Sequence, residues 1–406
     1  MRIVTAVLLG VLTSTGGFLD AGSISTAASA GATFGLSLIW PIVVGTLAII
    51  LLVEMSGRLA AVSGKAYSEA LRERFGFAFY LLPLSADVIS NGFLLAAELG
   101  GVSIGLALLT GLDWHTVLPV SALLVFAMVW RAPFGLIEDL PSILGLSALL
   151  FVVAIVVQPP SGDILQALAP KVPGSGSAQY LYLVAAILGA TMSPYLVYFY
   201  SSGAREDRWS RRSLRINRMT AVLGNGFGSL SAIGILVACS VVLQPRGITA
   251  DSLSEVGLSL AAPFGQLGAI GFGLILFACC FGAALEVSLA VAYDISQGFG
   301  WEWGEEKKPV EAARFNLVLI IYIAVAFTLA FVIGDPLQLA LFASALIALI
   351  LPVALAPFLI LMNDADYLRD QRNGVLTNLA TIAVVILAFV VAAASLALLL
   401  LTGGGR

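Results

Sequence analysis

Asp20 is the only charged residue between Arg2 and Glu54. Around it, from Thr13 to Gly35, the chain sets Gly16, Gly17, Gly22, Gly31 and Gly35 among Ser14, Ser23, Ser25, Thr26, Ser29 and Thr33. Each glycine costs a helix about 1 kcal/mol relative to alanine, so the middle of this stretch is expected to unwind. Unwinding frees backbone carbonyls and amides. A carboxylate at such a point can do two compatible things: cap the helix that restarts after it, or hold a cation.

A second stretch repeats the theme, with Gly189, Ala190, Thr191, Met192, Ser193, Pro194 and Tyr195 in the middle of an apolar segment. Pro194 removes a helical hydrogen bond. Asp20, Ser23, the Ala190 carbonyl and Ser193 together make an all-oxygen donor set. Hard cations such as Mg²⁺ and Ca²⁺ prefer such a set, and Mg²⁺ keeps several waters and needs only one or two carboxylates. The Met192 thioether would suit a softer transition metal. It precedes Ser193 by one residue, however, and on a helix points about 100° away, so it is expected to pack.

Three further acids stand in apolar surroundings. Glu98 follows Asp87 by 11 residues, about three helical turns, with Asn91 near the same line. This row could line an ion path toward the cytoplasm; alternatively, Asp87 simply meets water near the end of its helix. Glu286 sits about 15 Å of helix from either end of its segment, as a protonated acid, a hydrogen-bond acceptor or a second ligand. Glu54 precedes Arg58 by four residues and reads as a terminal ion pair.

The elements that carry these residues follow from composition. Of 406 residues, 60% are apolar, against 20 Lys and Arg and 24 Asp and Glu, about half the charge of an ordinary soluble domain. Charge-free runs cover 21–53, 172–204, 219–245, 256–285, 336–363 and 373–405, each longer than the ~20 residues that cross a bilayer as a helix. A soluble fold is excluded, and no basic stripe suggests nucleic acid. Cys239, Cys279 and Cys280 lie in apolar runs and read as small hydrophobes.

Hydrophobic segments and turn signals predict an all-α polytopic membrane protein with eleven spans. They fall near 4–31, 35–56, 77–109, 115–130, 139–158, 178–202, 219–243, 263–296, 315–333, 336–361 and 377–401. With the amino terminus cytoplasmic, only Lys171, Arg246 and Arg406 of the 20 basic residues fall outside. That bias also places the carboxyl terminus outside, in the plasma (cytoplasmic) membrane. Interruptions in the first and sixth spans point to two inverted five-helix repeats, the LeuT-like plan in which discontinuous helices build a midplane site. The division expected is 1–158 for the first repeat, 159–177 for an external linker, 178–361 for the second repeat, and 362–406 for a cytoplasmic loop and an eleventh helix.

These residues resemble the Nramp family of divalent metal transporters over nearly the whole chain. The run GGFLDAGS from Gly16 to Ser23 is similar to that family's first-helix signature, DPGN. LGATMSPY, from Leu188 to Tyr195, resembles its sixth-helix signature, A-x-x-M-P-H. Ser63 to Gly76, Ala97 to Gly101 and Leu351 to Leu359 are similar to the exit loop of its second helix, its third helix and its tenth helix. The family Asp stands at Asp20. The family Asn becomes Ser23, the Met becomes Ser193, the His becomes Tyr195, a third-helix acid becomes Leu95, and the tenth-helix Gln falls at Ser344. In the family, the Met favours transition metals, and the His and third-helix acid serve proton coupling.

Such losses resemble the divergent branch of Nramp-related magnesium transporters, with a hard, roomier site and uncoupled transport. The resemblance implies an alternating-access carrier, not an enzyme, with a divalent ion as substrate (Mg²⁺ favoured, Ca²⁺ or Mn²⁺ also open), no cofactor, and a monomer sufficient for transport. Its rivals are a proton-coupled transition-metal carrier, a same-fold carrier of a small organic solute, and a non-transporting membrane receptor.

Overall fold

The computed structural model describes residues 19–131, 146–160, 162, 164–174, 176–304, 307 and 309–402. Among these residues there are helices and turns and no strand. The first described helix is α1 (Ala21–Phe34), which continues through a 3₁₀ turn at Gly35–Leu38 into α2 (Ile39–Ser63), followed by the short amphipathic α3 (Tyr67–Phe75). Next come α4 (Phe77–Thr110), α5 (Trp114–Arg131) and α6 (Leu149–Val157). The sixth span is split into α7 (Ser177–Thr191) and α8 (Pro194–Glu206). Helices α9 (Leu214–Val242), α10 (Gln266–Phe299), α11 (Ala313–Ile333), α12 (Pro336–Leu355) and α13 (Val375–Thr402) complete the bundle.

Among the described residues the second to fourth and the sixth to eleventh expected spans reappear with boundaries displaced by a few residues. The second runs seven residues further, to Ser63, where Gly64 adopts a positive φ of 71° and ends the helix. The seventh starts earlier, at Leu214. The tenth is broken at Ala356, because Pro357 has no N–H to continue α12. Gly16, Gly17 and the rest of the first span up to residue 18, and the start of the fifth span at 139–145, lie outside the described residues.

Among the described residues, eight helical runs are long and apolar enough to cross a membrane, two of them containing the α1–α2 and α7–α8 pairs. Helices α4 and α10 form the most extensive pair, and α12 packs against α1, α4, α7 and α13. The bundle interior is thus α1, α4, α7, α8, α10 and α12. Outside it, α11 and α13 leave large apolar side chains such as Phe331 and Phe389 uncovered. In water this would be a liability; in a bilayer it is the surface lipid covers.

Candidate functional site

Asp20 has extended backbone (φ −111°, ψ 175°) and is the N-cap of α1, its carboxylate accepting the Ser23 amide at 2.6 Å. Glu98, from α4, accepts the next free amide, that of Ala21, on both of its oxygens at 2.9 and 3.1 Å. The first donors of α1, which a helix cannot satisfy internally, are therefore met by two acids from different helices. Both acids are buried, Asp20 at 2% exposure and Glu98 at 0%. The Tyr195 hydroxyl reaches the Asp20 carboxyl within hydrogen-bonding range.

At the second break, α7 ends at Thr191 and α8 restarts at Pro194. The helical donor for the Ala190 carbonyl would be the amide of residue 194, and proline has none. That carbonyl is therefore left without its in-helix partner. Ser193, fully buried, has a hydroxyl with no hydrogen-bond partner, a condition that normally calls for a ligand or water. Met192 is fully buried within the apolar core.

Close packing joins the two breaks. A methyl group at Gly22 would stand 2.7 Å from Ser344 Oγ, 3.3 Å from Asp20 Oδ1 and 3.7 Å from Ala190 Cβ. One at Gly189 would collide with the Ser344 carbonyl oxygen. Ser344, on α12, is thus wedged between α1 and α7, and its hydroxyl donates to its own helix at Ala340 O (2.8 Å), so that its lone pairs can face the break. Glu286, on α10, is 6% exposed and lies close enough to Asp20 and Tyr195 to act on both electrostatically. Asp20, Glu98 and Glu286 accordingly share one electrostatic environment.

No Lys or Arg forms an ion pair with any of these three acids among the described residues. The ion pairs present lie at the helix ends and in loops, such as Arg58–Glu54 (3.2 Å), Arg74–Asp364 (2.8 Å) and Arg211–Asp370 (2.7 Å). Nor do three or more His, Cys, Asp or Glu side chains gather around one point among the described residues. The three free cysteines are buried.

Glu98 meets the Ala21 amide at the start of α1, which needs an acceptor. One expectation changes: Asp87 does not meet water, because it is 2% exposed and lies against Asp294 of α10. Asn91 stays beside Asp87, at 1% exposure. Sequence reading passed over Asp294, although a second acid in the same apolar helix as Glu286 was a visible signal. It also gave no part to Gly22 and Gly189, whose meaning depends on which helix crosses them.

On the side of the break opposite Asp87, Ser25, Ser29 and Thr33 follow one another at four-residue spacing along α1. The Ser25 and Ser29 hydroxyls are buried and without partners. Ser29 and Thr33 line a cleft of about 70 Å³ together with Gln179, Asp251 and Gln338, room for a few water molecules.

Among the described residues, an all-helical membrane bundle with one helix broken between Thr191 and Pro194, orphaned oxygens at that break and an acid capping the start of the helix beside it, fits the discontinuous-helix class of integral membrane proteins. The chain belongs to the Nramp family: residues 10–399 match the family model described as "Natural resistance-associated macrophage protein-like". It is 25% identical over 390 residues to the divalent metal cation transporter MntH of Erwinia tasmaniensis, covering 91% of this chain and 89% of that protein. Its fold is that of the Eremococcus coleocola manganese transporter, crystallised with an aromatic bis-isothiourea compound (TM-score 0.79, 19% identity, 95% of this chain and 85% of that one). The nucleobase-cation-symport-1 transporter Mhp1, in a closed conformation with bromovinylhydantoin bound, shares the architecture more distantly (TM-score 0.64, 14% identity, 97% of this chain and 92% of that one).

Proposed function

We propose that this protein carries divalent metal cations inward across the cytoplasmic membrane by alternating access. The ion is held where α1 and α7–α8 break, by the Asp20 carboxylate, the Ser23 and Ser193 hydroxyls and the Ala190 carbonyl. Ser344 and Tyr195 complete the wall. The observation that carries this reading is the buried Asp20 carboxylate at the start of α1, beside the broken α7–α8 helix, with Glu98 and Glu286 near it and no basic partner among the described residues. Buried negative charge needs a positive partner, and a transported cation supplies one. Relatives described as a divalent metal cation transporter and a manganese transporter support the cargo class.

Within that class, the donors are oxygens and the only nearby thioether, Met192, belongs to the apolar core. Such a set favours Mg²⁺, with Mn²⁺ and Ca²⁺ also accepted, over softer ions. Both Glu98 oxygens are engaged with Ala21, and Tyr195 and Leu95 offer no group that titrates near neutral pH. Transport is therefore read as uncoupled from protons. The Ser25–Ser29–Thr33 row and its cleft serve as the outer approach. The inverted repeats are 1–158 and 178–361, with the amino terminus cytoplasmic and the carboxyl terminus outside.

The test is uptake of Mg²⁺ and Mn²⁺ into proteoliposomes by the wild type and Asp20→Ala. Uptake by the wild type, lost in the variant and insensitive to an imposed proton gradient, is the expected result. Undiminished uptake by Asp20→Ala overturns the site; acidification of the vesicle interior accompanying uptake overturns the uncoupled reading.

A further inference from the structure

Helices α4 and α10 run antiparallel, and each carries two buried acids. Glu98 and Glu286 are beside the break. Asp87 and Asp294 lie further along the same two helices, 11 residues below Glu98 and eight below Glu286. At 1.5 Å per residue that is about 12 to 16 Å of helix. The lower pair is buried as deeply as the upper, at 2% and 1% exposure, and the two carboxyls face each other within hydrogen-bonding range.

Their surroundings do not neutralise them. Ser68, in α3, donates to Asp294 Oδ1 at 2.7 Å. Asp294 Oδ2 and both Asp87 oxygens receive nothing. Of the neighbouring phenols, Tyr80 donates to Asp294 O and Tyr322 to Val88 O, each at 2.8 Å, while the buried Tyr198 hydroxyl, also close to the pair, has no partner. Arg72 of α3 points to the Gly298 carbonyl (3.4 Å). Independently, the Asn91 carboxamide lies alongside Asp87, one turn further along α4. Neither its oxygen nor its nitrogen completes a hydrogen bond, although the side chain is 1% exposed. Three carboxylate oxygens and the Asn91 carboxamide thus lie in the interior without a completed hydrogen bond. Two facing carboxylates cannot both stay charged there unless a positive charge sits between them.

We propose that Asp87, Asp294 and Asn91 form a second divalent-cation site, a station between the breaks and the cytoplasm. It rests on the transport reading for the direction of flow only. The donors are all oxygen, the two carboxylates match a doubly charged ion, and waters fill the remaining positions. Ser68 ties the site to α3. That short helix is also held by the Tyr67 hydroxyl on Ala354 O (2.7 Å) and the Tyr67 amide on Ser201 Oγ (3.0 Å), so it closes the station toward the cytoplasm.

Mn²⁺ is the probe. Calorimetric titration of the purified full-length protein is expected to give two ions in the wild type, one in Asp20→Ala, one in the Asp87→Asn/Asp294→Asn double variant, and none in the triple variant. A single ion in the wild type that Asp20→Ala abolishes means the pair holds only a shared proton, and overturns the station while leaving the transport site intact. A single ion in the wild type that Asp20→Ala leaves bound and the Asp87→Asn/Asp294→Asn variant abolishes overturns the transport assignment and not this one. Should the double variant fail to fold, anomalous scattering from Mn²⁺ in wild-type crystals decides: a peak between Asp87 and Asp294 is the expected result, and a peak only at the break overturns the proposal.

Discussion

Glu98 takes the Ala21 amide on both carboxylate oxygens, although 77 residues separate the two in sequence. The contact fixes the start of α1 to the scaffold helix α4. The adjacent Asp20 carboxylate takes the Ser23 amide instead. A helix N-terminus attracts negative charge, so two acids there are better tolerated than elsewhere in the bundle.

Glu98→Ala is expected to strand the Ala21 amide in the interior, at a cost of about 1 to 3 kcal/mol. Glu98→Gln keeps an acceptor of the same length and should lose clearly less. Thermal unfolding in detergent compares the two. Equal stability of Glu98→Ala and the wild type would show that the amide has another partner.

If a doubly charged ion crosses without protons, its movement should follow voltage. The drive is about 4.6 kcal/mol per 100 mV. A potassium-diffusion potential, negative inside, should therefore speed Mg²⁺ uptake into proteoliposomes strongly, and a pH step of either sign should leave the initial rate unchanged. A rate that rises with external acidity and ignores voltage contradicts uncoupled transport.

The fold was legible in the sequence because bilayer thickness and the cost of unpaired backbone leave a chain this apolar little choice but long helices. The break at Pro194 could be read for a related reason: a proline inside an apolar run is local chemistry, and local chemistry is visible locally. The direction of a side chain across the bundle is not. The 11-residue spacing put Glu98, Asn91 and Asp87 on one line correctly, but which neighbour each meets depends on the crossing helices. Glu98 is drawn to α1 by an amide that no periodicity reveals, and Asp87 is paired with Asp294, more than 200 residues away. Ser344 could be aligned with a family position, yet its wedge between Gly22 and Gly189 needed coordinates.

Ser193 offers a test of ion choice. Its hydroxyl is buried and unpartnered, and replacing it with methionine places a thioether where an oxygen now stands. Ser193→Met is expected to shift competition toward softer ions, so that Cd²⁺ inhibits Mn²⁺ uptake more strongly and Mg²⁺ more weakly than in the wild type. An unchanged order of inhibition, with uptake intact, would remove Ser193 from the set of ligands.

The constraint at Gly22 is steric, since a methyl group there would stand 2.7 Å from Ser344 Oγ. Gly22→Ala is therefore expected to push α12 away from α1, at a cost of about 1 to 3 kcal/mol, and to slow uptake by distorting the Asp20 position. Ser344→Gly alone should be milder, removing a hydroxyl whose recorded bond is to its own helix. The two changes together should recover part of what Gly22→Ala loses, because the added methyl then fills the space of the missing side chain. A coupling energy of about 0.5 to 3 kcal/mol in a double-mutant cycle is the range for residues in direct contact. Strict additivity of the two effects, in stability and in uptake rate, would mean that Ser344 does not press on the break and that α1 and α12 are held apart by other groups.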